Sequence, residues 1–530
     1  MKILQVNYDQ VPHLSKRDLA YIQGDSKLRP FYNYEFSFDA FDKIIEDRKS
    51  YPVNRKLLAD ILSQQYAGKS ASSLTTQNIE SLRGEGTFTI ITAHQPSLLT
   101  GPLYFIYKIC STINLCQRLQ KAHPAYKFVP TFILGAEDHD FEEINHLNVF
   151  GKSIEWQTDQ KGAVGRMTLD GIQEVLTQIK EILGSSPYAS DIIEILEKSH
   201  SEADSYFDFV FRYVNEIFSE YGLVVINMDN AELKGAFAPT IRKEIVDGFS
   251  ENLVNQAITK IEAAGYNGQA TPRAINFFYL SENSRERIVY EDDKYKVINT
   301  DYTFTKEEIL QEIENHPERF SPNVIIRPLY QEYTLPNLAY IGGGGELAYW
   351  MERKEQFEDA KIFYPMLIRR NSVQWNDGGI LKQQSKLGLS SIDMLKGEHS
   401  LIKDFISANA EQTVDISEEK KSIEAIFTQI AKKAKAIEAP LEKYVLAEQT
   451  KQLKLAAQIE GKMKKAIKQR HDVSLNKIKA LKEKQFPTQS LQERKNNFLQ
   501  QYIKHGRSYI DFLVTHLDPF NKQYLIVEEG

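Results

Sequence analysis

From about residue 85, short apolar runs alternate with helical periods. Thr87-Phe88-Thr89-Ile90-Ile91-Thr92 has the length and β-branched content of a buried strand. After the turn Thr100-Gly101-Pro102, residues Ile106, Ile109, Cys110, Ile113 and Cys116 fall on one stripe of a helix. Phe128 to Leu134 reads as the next strand, and Pro130 places it near an edge or at a strand start. Strand, helix, strand at this spacing predicts a βαβ unit with parallel strands and a right-handed crossover. Residues 223–228, 275–280 and 362–368 are further strand candidates, and helices are expected over about 171–183, 190–220 and 232–263. The economical fold class is α/β, a twisted, mainly parallel sheet with helices on both faces. Residues 284–300 predict an antiparallel hairpin, with Ile288-Val289-Tyr290 facing Tyr295 to Ile298 across Asp292-Asp293, inserted into that core.

Near residue 385 the pattern changes. From Glu418 to Lys484 there are 17 Lys/Arg against 9 Asp/Glu and a single glycine, Gly461. Leu455, Ile459, Met463, Ile467, His471, Leu475, Ile478 and Leu481 recur at steps of four and three, one face of a long helix that Pro440 would start. A helix of 40 residues would extend about 60 Å, longer than a domain is wide. A second helix is expected over about 489–515, after Pro487. The stripe must be covered, so an antiparallel hairpin or a coiled-coil dimer is predicted. Tyr524-Leu525-Ile526-Val527 could return to the core as a strand. The expected organisation is a core over 1–384 with insertions at about 151–220 and 230–335, a helical arm over 385–516 and a returning tail over 517–530.

A chain of 530 residues exceeds one ordinary core, and 42% hydrophobic content excludes wholesale disorder. The net charge of −7 makes a nucleic-acid partner unlikely for the core. Cys110 and Cys116, the only cysteines, lie six apart in one expected helix, which excludes a disulfide framework and fits a reducing compartment. The first residues lack the pattern of a signal peptide, and no run has the length and apolarity of a membrane span, so a cytoplasmic protein is expected.

Ligands of open α/β sheets bind beyond the carboxyl ends of the strands. Three polar clusters fall at such ends: His94 to Pro102, with Gln95, Thr100 and Gly101; Gly135-Ala136-Glu137-Asp138-His139-Asp140; and Gly342-Gly343-Gly344-Gly345-Glu346. Parallel strands would bring all three to one rim. Asp138, His139 or Asp140 could act as general base, with a neighbour shifting its pKa, and Glu137 is a candidate for binding substrate or nucleotide; the alternative is that Asp138 or Asp140 merely caps the helix that follows. His146 could add a metal ligand, but no metal-binding motif such as H-E-x-x-H occurs. Four glycines would let backbone approach an anion, or simply form a tight turn; neither a dinucleotide fingerprint nor a P-loop is present. Arg369, Arg370 and Asn371 could bind a carboxylate or phosphate or serve structural salt bridges, and Asn276 and Arg285 are weaker candidates of the same kind.

At these same residues the chain resembles the BshC family, the cysteine-adding enzymes of bacillithiol biosynthesis. The resemblance rests on His94-Gln95 through Leu98-Leu99-Thr100-Gly101-Pro102-Leu103-Tyr104, on Gly135 through His146, on Gly345-Glu346-Leu347-Ala348-Tyr349-Trp350, and on the carboxy-terminal helical arm. It implies a Rossmann-like core related to nucleotidyl transferases, with inserted connecting segments and an arm that forms a homodimer. The implied reaction joins the carboxyl group of cysteine to the amine of glucosaminyl-malate, with ATP as the expected source of activation. Many members have Gly-Gln-Gln where this chain has Ala93-His94-Gln95, so Gln95 carries over more safely than His94; many have Gly-Pro-Gly-Glu where it has Gly343-Gly344-Gly345-Glu346. Two rival classes are a tRNA-related nucleotidyl transferase using the basic arm on RNA and a non-catalytic coiled-coil assembly factor.

Overall fold

The computed structural model describes residues 1–409 and 415–530 of the chain, and the backbone alone at residues 467, 468 and 470. Its centre is a five-stranded, wholly parallel sheet. In chain order the strands are β1 (Thr87–His94), β2 (Lys127–Leu134), β3 (Val224–Asn227), β4 (Asn337–Gly342) and β5 (Met366–Arg369). Across the sheet the order is β5-β4-β1-β2-β3. The first strand is central, and the chain builds outward first on one side and then on the other. That is doubly wound, Rossmann-type topology, and it places a switch point between β1 and β4.

Every residue of β1 up to Ala93 is buried, as a strand covered on both faces requires. Helix α1 (Tyr104–Ala122) makes the crossover to β2, and Ile106, Ile109, Cys110, Ile113 and Cys116 all bury. Pro130 lies inside the sheet rather than at its edge: β3 pairs only with Thr131–Leu134, so the proline stands just before the second ladder begins.

The run at 275–280 does not join the parallel sheet. Phe277–Leu280 belongs to a separate antiparallel sheet with Arg285–Glu291, Lys294–Val297, Thr303–Phe304 and Phe320–Pro322. The hairpin within it has Tyr290 opposite Tyr295, and Asp292 and Asp293 both take positive φ (52° and 58°), the tight two-residue turn that suits strand twist. A short hairpin, His146–Val149 with Lys152–Glu155, and helices fill the chain between β2 and β3. The segment expected as one helix over 190–220 breaks at Ser205, which caps Tyr206–Ile217; that over 232–263 breaks at Gly248, with φ of 59°. Between the breaks lies α2 (Ala231–Asp247). Helix α3 (Gly344–Met351) follows β4.

Lys2–Asn7, Gln523–Glu528 and Val373–Asn376 form a third sheet, so the two chain ends pair with each other antiparallel. The arm is an antiparallel hairpin of α4 (Ser417–Ile437) and α5 (Ala439–Arg470), with Pro440 in the first turn of α5. Lys420 reaches Glu460, Gln449 reaches the Glu424 carbonyl and Lys435 reaches Glu442, a register that only antiparallel helices allow. The long helix ends before His471, and Asp472–Gln485 continues separately with Leu475, Ile478 and Leu481 buried. Leu455, Ile459 and Met463 remain exposed on α5, and the side chain of Ile467 lies outside the described residues. The segment 489–515 is not one arm helix: Gly506, with φ of 57°, divides Leu499–His505 from Arg507–His516, and the latter packs on α1, where Asn114 donates to the Val514 carbonyl (2.8 Å). Among the described residues no helix is long and apolar enough to cross a membrane.

Candidate active site

The carboxyl ends of β1, β2 and β4 open into one cavity of about 940 Å³. His94, Gln95, Glu137, Asp138, His139, Asp140, Gly343, Gly344, Gly345, Glu346 and Arg370 all line it. Thr100, Gly101, Arg369 and Asn371 do not. Thr100 is fully buried, and Gly101 needs its positive φ (57°) in a turn whose carbonyls accept from Asn497. Arg369 turns inward to Asp18 (2.9 Å), and Asn371 bonds Ser111 and the Asp518 carbonyl.

The loop after β2 holds the acidic wall. The Gln95 amide donates to Asp138 Oδ2 (2.6 Å) and to Glu143 Oε2 (3.1 Å), so the loop after β1 orients the carboxylates of the loop after β2. The backbone N–H of His139 donates to Asp138 Oδ1 (2.8 Å), and Arg285 stands 3.6 Å from the same oxygen. Burial pushes the Asp138 carboxyl up, but His139, the Arg285 charge and the Gln95 amide outweigh it and hold the group well below the usual carboxylate range. Arg285 Nη1 also points at His139 Nδ1 (2.9 Å). A guanidinium can only donate, so Nδ1 accepts, and neutral His139 carries its proton on Nε2. Arg285 is fixed by Ser321 and the Pro322 carbonyl and stacks over Phe278. Asp140, exposed at the mouth, has no side-chain hydrogen bond or ion pair among the described residues.

Glu137 faces a buried network instead. Lys234 of α2, almost fully enclosed, binds Glu137 (2.5 Å), Asp229 (3.0 Å) and the Glu318 carbonyl, and Asp229 takes a two-pronged contact from Arg166. Burial raises the Glu137 carboxyl; Lys234, although buried, is held above its ordinary value by its two carboxylate partners.

On the β4 side, Glu346 accepts from Lys108 (2.8 Å), from the Tyr340 hydroxyl (2.6 Å) and from the Gly343 N–H (2.8 Å). Burial opposes its ionisation, but the Lys108 charge and these bonds hold its pKa down to about 2. Lys108, buried in α1, also donates to the Ala93 carbonyl (2.6 Å) and so ties the end of β1 to the first turn of α3 across the switch point. The glycine run adopts no positive φ. Its need for glycine is one of space: a Cβ on Gly344 would lie 2.2 Å from the Asp18 carboxyl carbon, and one on Gly342 would lie 2.8 Å from the Tyr340 ring. Gly345 faces open space, with nothing within 4 Å.

His94 Nδ1 donates to the Gln95 carbonyl (3.0 Å), which leaves Nε2 to accept from the Tyr104 hydroxyl (3.2 Å). Burial, then the Lys108 charge, lowers its pKa to about 4. Sequence reasoning did not single out Lys108, Lys234, Arg273, Arg327 or Arg494, and gave Tyr104 no role in the site. Lys108 carries a trace in the sequence, being a lysine within an otherwise apolar helical stretch, whereas Lys234 shares its helix with Glu232, Arg242, Lys243 and Glu244; Arg327 carries none, standing at the start of a short helix, Arg327–Thr334.

Comparison with known proteins agrees over the whole length. The family model for the bacillithiol biosynthesis BshC N-terminal Rossmann-like domain matches residues 1–371, and that for the BshC C-terminal coiled-coil domain matches residues 376–529. The chain is similar to a protein of Flavobacterium johnsoniae named "Putative cysteine ligase BshC", 38% identical over 98% of this chain and 99% of the other. A protein of the same name from Flavobacterium psychrophilum is 39% identical, covering 99% of each. One from Bacillus cereus is 28% identical over 96% of this chain and 97% of the other.

Proposed function

Because this chain belongs to the BshC family of bacillithiol biosynthesis, we propose that it joins the carboxyl group of cysteine to the amine of glucosaminyl-malate. The observation that carries the reading is the meeting of the loops after β1, β2 and β4 in one cavity at the topological switch point, with carboxylates and cations both on its walls.

An amine that is protonated near neutral pH must lose a proton before its lone pair can attack the carboxyl carbon. Asp138, held ionised and clamped by Gln95, is suited to seat the ammonium group. Asp140, free at the mouth, is the group we assign to take the proton. His139 does not serve as base in this arrangement, because Arg285 occupies its acceptor nitrogen; its Nε2–H is a donor for a ligand oxygen. Glu137 shapes the wall through Lys234.

Amide formation from a free carboxylate is uphill in water, and ATP, when bound, would supply that activation. The open backbone at Gly345, at the positive end of α3, and the Arg370 guanidinium are the groups suited to its phosphates. The exposed apolar positions Leu455, Ile459 and Met463 support pairing of the arm with a second copy. The test is reconstitution: purified full-length protein, L-cysteine and glucosaminyl-malate, with and without ATP, followed by mass spectrometry. Bacillithiol is the expected product. A cooperatively folded protein that makes none under either condition counts against the reading.

A further inference from the structure

Five arginines line the cavity: Arg273, Arg285, Arg327, Arg370 and Arg494. Two are matched by acids, Arg285 with Asp138 (3.6 Å) and Arg370 with Glu493 (2.8 Å). The buried lysines of the same region are matched as well, Lys108 with Glu346 and Lys234 with Glu137 and Asp229. Arg327 breaks the pattern. It is half-buried, and its one polar side-chain contact among the described residues is with the Tyr349 hydroxyl (3.2 Å). A guanidinium presents five N–H donors in a rigid fork, so four of them have no protein acceptor. Arg273 and Arg494, exposed on the same cavity, also have no acidic partner among the described residues.

Burial works against the Arg327 cation, but Tyr349, Tyr340 and the Asp138 and Glu346 charges outweigh it, so the group stays charged although no acid bonds it. The carboxylates in its surroundings, Asp138 and Glu346, are each committed to other donors. Gly135, at the end of β2, lies against the guanidinium: a Cβ there would come within 3.8 Å of Nη1. The fork therefore stands between the loop after β2 and the Tyr349 face of α3, on the wall of the cavity that Gly345 also lines.

We infer that Arg327, with Arg273 and Arg494 elsewhere on the same cavity lining, forms an anion subsite of this cavity that recognises a multiply charged oxyanion, either the two carboxylates of a malate-bearing amine or the phosphates of a nucleotide. The inference deepens the ligase reading and rests on it for those two candidate ligands. Arg327 is the specificity-determining contact, and the two exposed arginines add long-range attraction that salt screens.

The test is isothermal titration of full-length protein, wild type and Arg327→Gln, with three probes: glucosaminyl-malate, ATP and inorganic pyrophosphate. Loss of a charge-assisted contact should weaken binding by about 10- to 100-fold. Arg327→Lys should recover only part of it, because an ammonium cannot reproduce the two-pronged fork. Weakening confined to glucosaminyl-malate identifies the carboxylates as the anion; weakening confined to ATP and pyrophosphate identifies the phosphates. Equal affinities of wild type and Arg327→Gln for all three probes, or no binding by wild type, would overturn the inference. If Arg327→Gln does not fold, Arg327→Lys carries the same comparison. Arg327-dependent binding by a protein that makes no bacillithiol would sink the ligase reading and leave the anion subsite standing.

Discussion

Lys108 and Glu346 close the switch-point crevice, and separating them gives the most quantitative prediction. Lys108→Met removes the cation and the donor to the Ala93 carbonyl, leaving Glu346 with only the Tyr340 hydroxyl and the Gly343 N–H. Wild-type Glu346 titrates at about 2 against an ordinary 4.5, a difference equivalent to about 3 kcal/mol. With 26% of its side chain accessible, solvent screening reduces that to about 2 kcal/mol. Orphaning the remaining carboxylate adds a cost, so the single variant should lose about 3–5 kcal/mol. Glu346→Gln strands the buried ammonium and should cost a similar amount. Lys108→Met combined with Glu346→Gln removes both charges and should be less destabilised than the two singles added together, by about 1–3 kcal/mol. Urea unfolding followed by tryptophan fluorescence is the assay, since Trp350 sits on α3. Glu346 has its folded pKa depressed, so the wild-type advantage is present above about pH 4.5 and fades as pH falls toward 2. The gap between wild type and Lys108→Met should narrow along that path. Simple additivity of the singles at pH 7 would refute the reasoning.

Three further outcomes are expected. His94 has its folded pKa lowered to about 4, so between about pH 6.5 and 4 the unfolded chain binds a proton that the folded chain refuses; stability falls across that window by at most about 3 kcal/mol, and His94→Gln should flatten the fall in a series of thermal melts. Gly344→Ala drives a methyl into the Asp18 carboxylate and should cost about 1–3 kcal/mol, whereas Gly345→Ala meets nothing and should melt like wild type; a drop in ligation by Gly345→Ala alone then reports a ligand packed on that backbone. Ile459→Glu on the exposed face of α5 should shift the dimer proposed for the arm to monomer in sedimentation velocity without lowering the melting temperature of the core.

The sequence carried the doubly wound core because β1 and β2 are short, β-branched and separated by one helix, and burial on both faces leaves no other use for such runs. It also indicated that the polar clusters following the parallel strands meet at one edge, where the cavity lies. It misassigned Phe277–Leu280 because four apolar residues look alike in a parallel and an antiparallel sheet. It overvalued Arg369 and Asn371 because their partners, Asp18 and the Asp518 carbonyl, lie some 350 and 150 residues away along the chain. The segment after Pro487 is broken twice, by the positive φ of Thr488 and Gln489 with the short turn at Gln492–Arg494 and by Gly506, and helical spacing alone reveals neither break. Arg327 stayed hidden for another reason: its significance lies in having no acid opposite it, and a missing partner is visible only once the cavity is formed.

The central claim is that this cavity adds cysteine to glucosaminyl-malate, and the most direct measurement is of both metabolites in cells. Thiol and precursor should be quantified by mass spectrometry in a strain lacking the gene, complemented with wild type or with Asp138→Asn. The account predicts that bacillithiol disappears and glucosaminyl-malate accumulates on deletion, and that wild type, but not Asp138→Asn, reverses both. Unchanged bacillithiol in the deletion strain, or full rescue by Asp138→Asn, would contradict it.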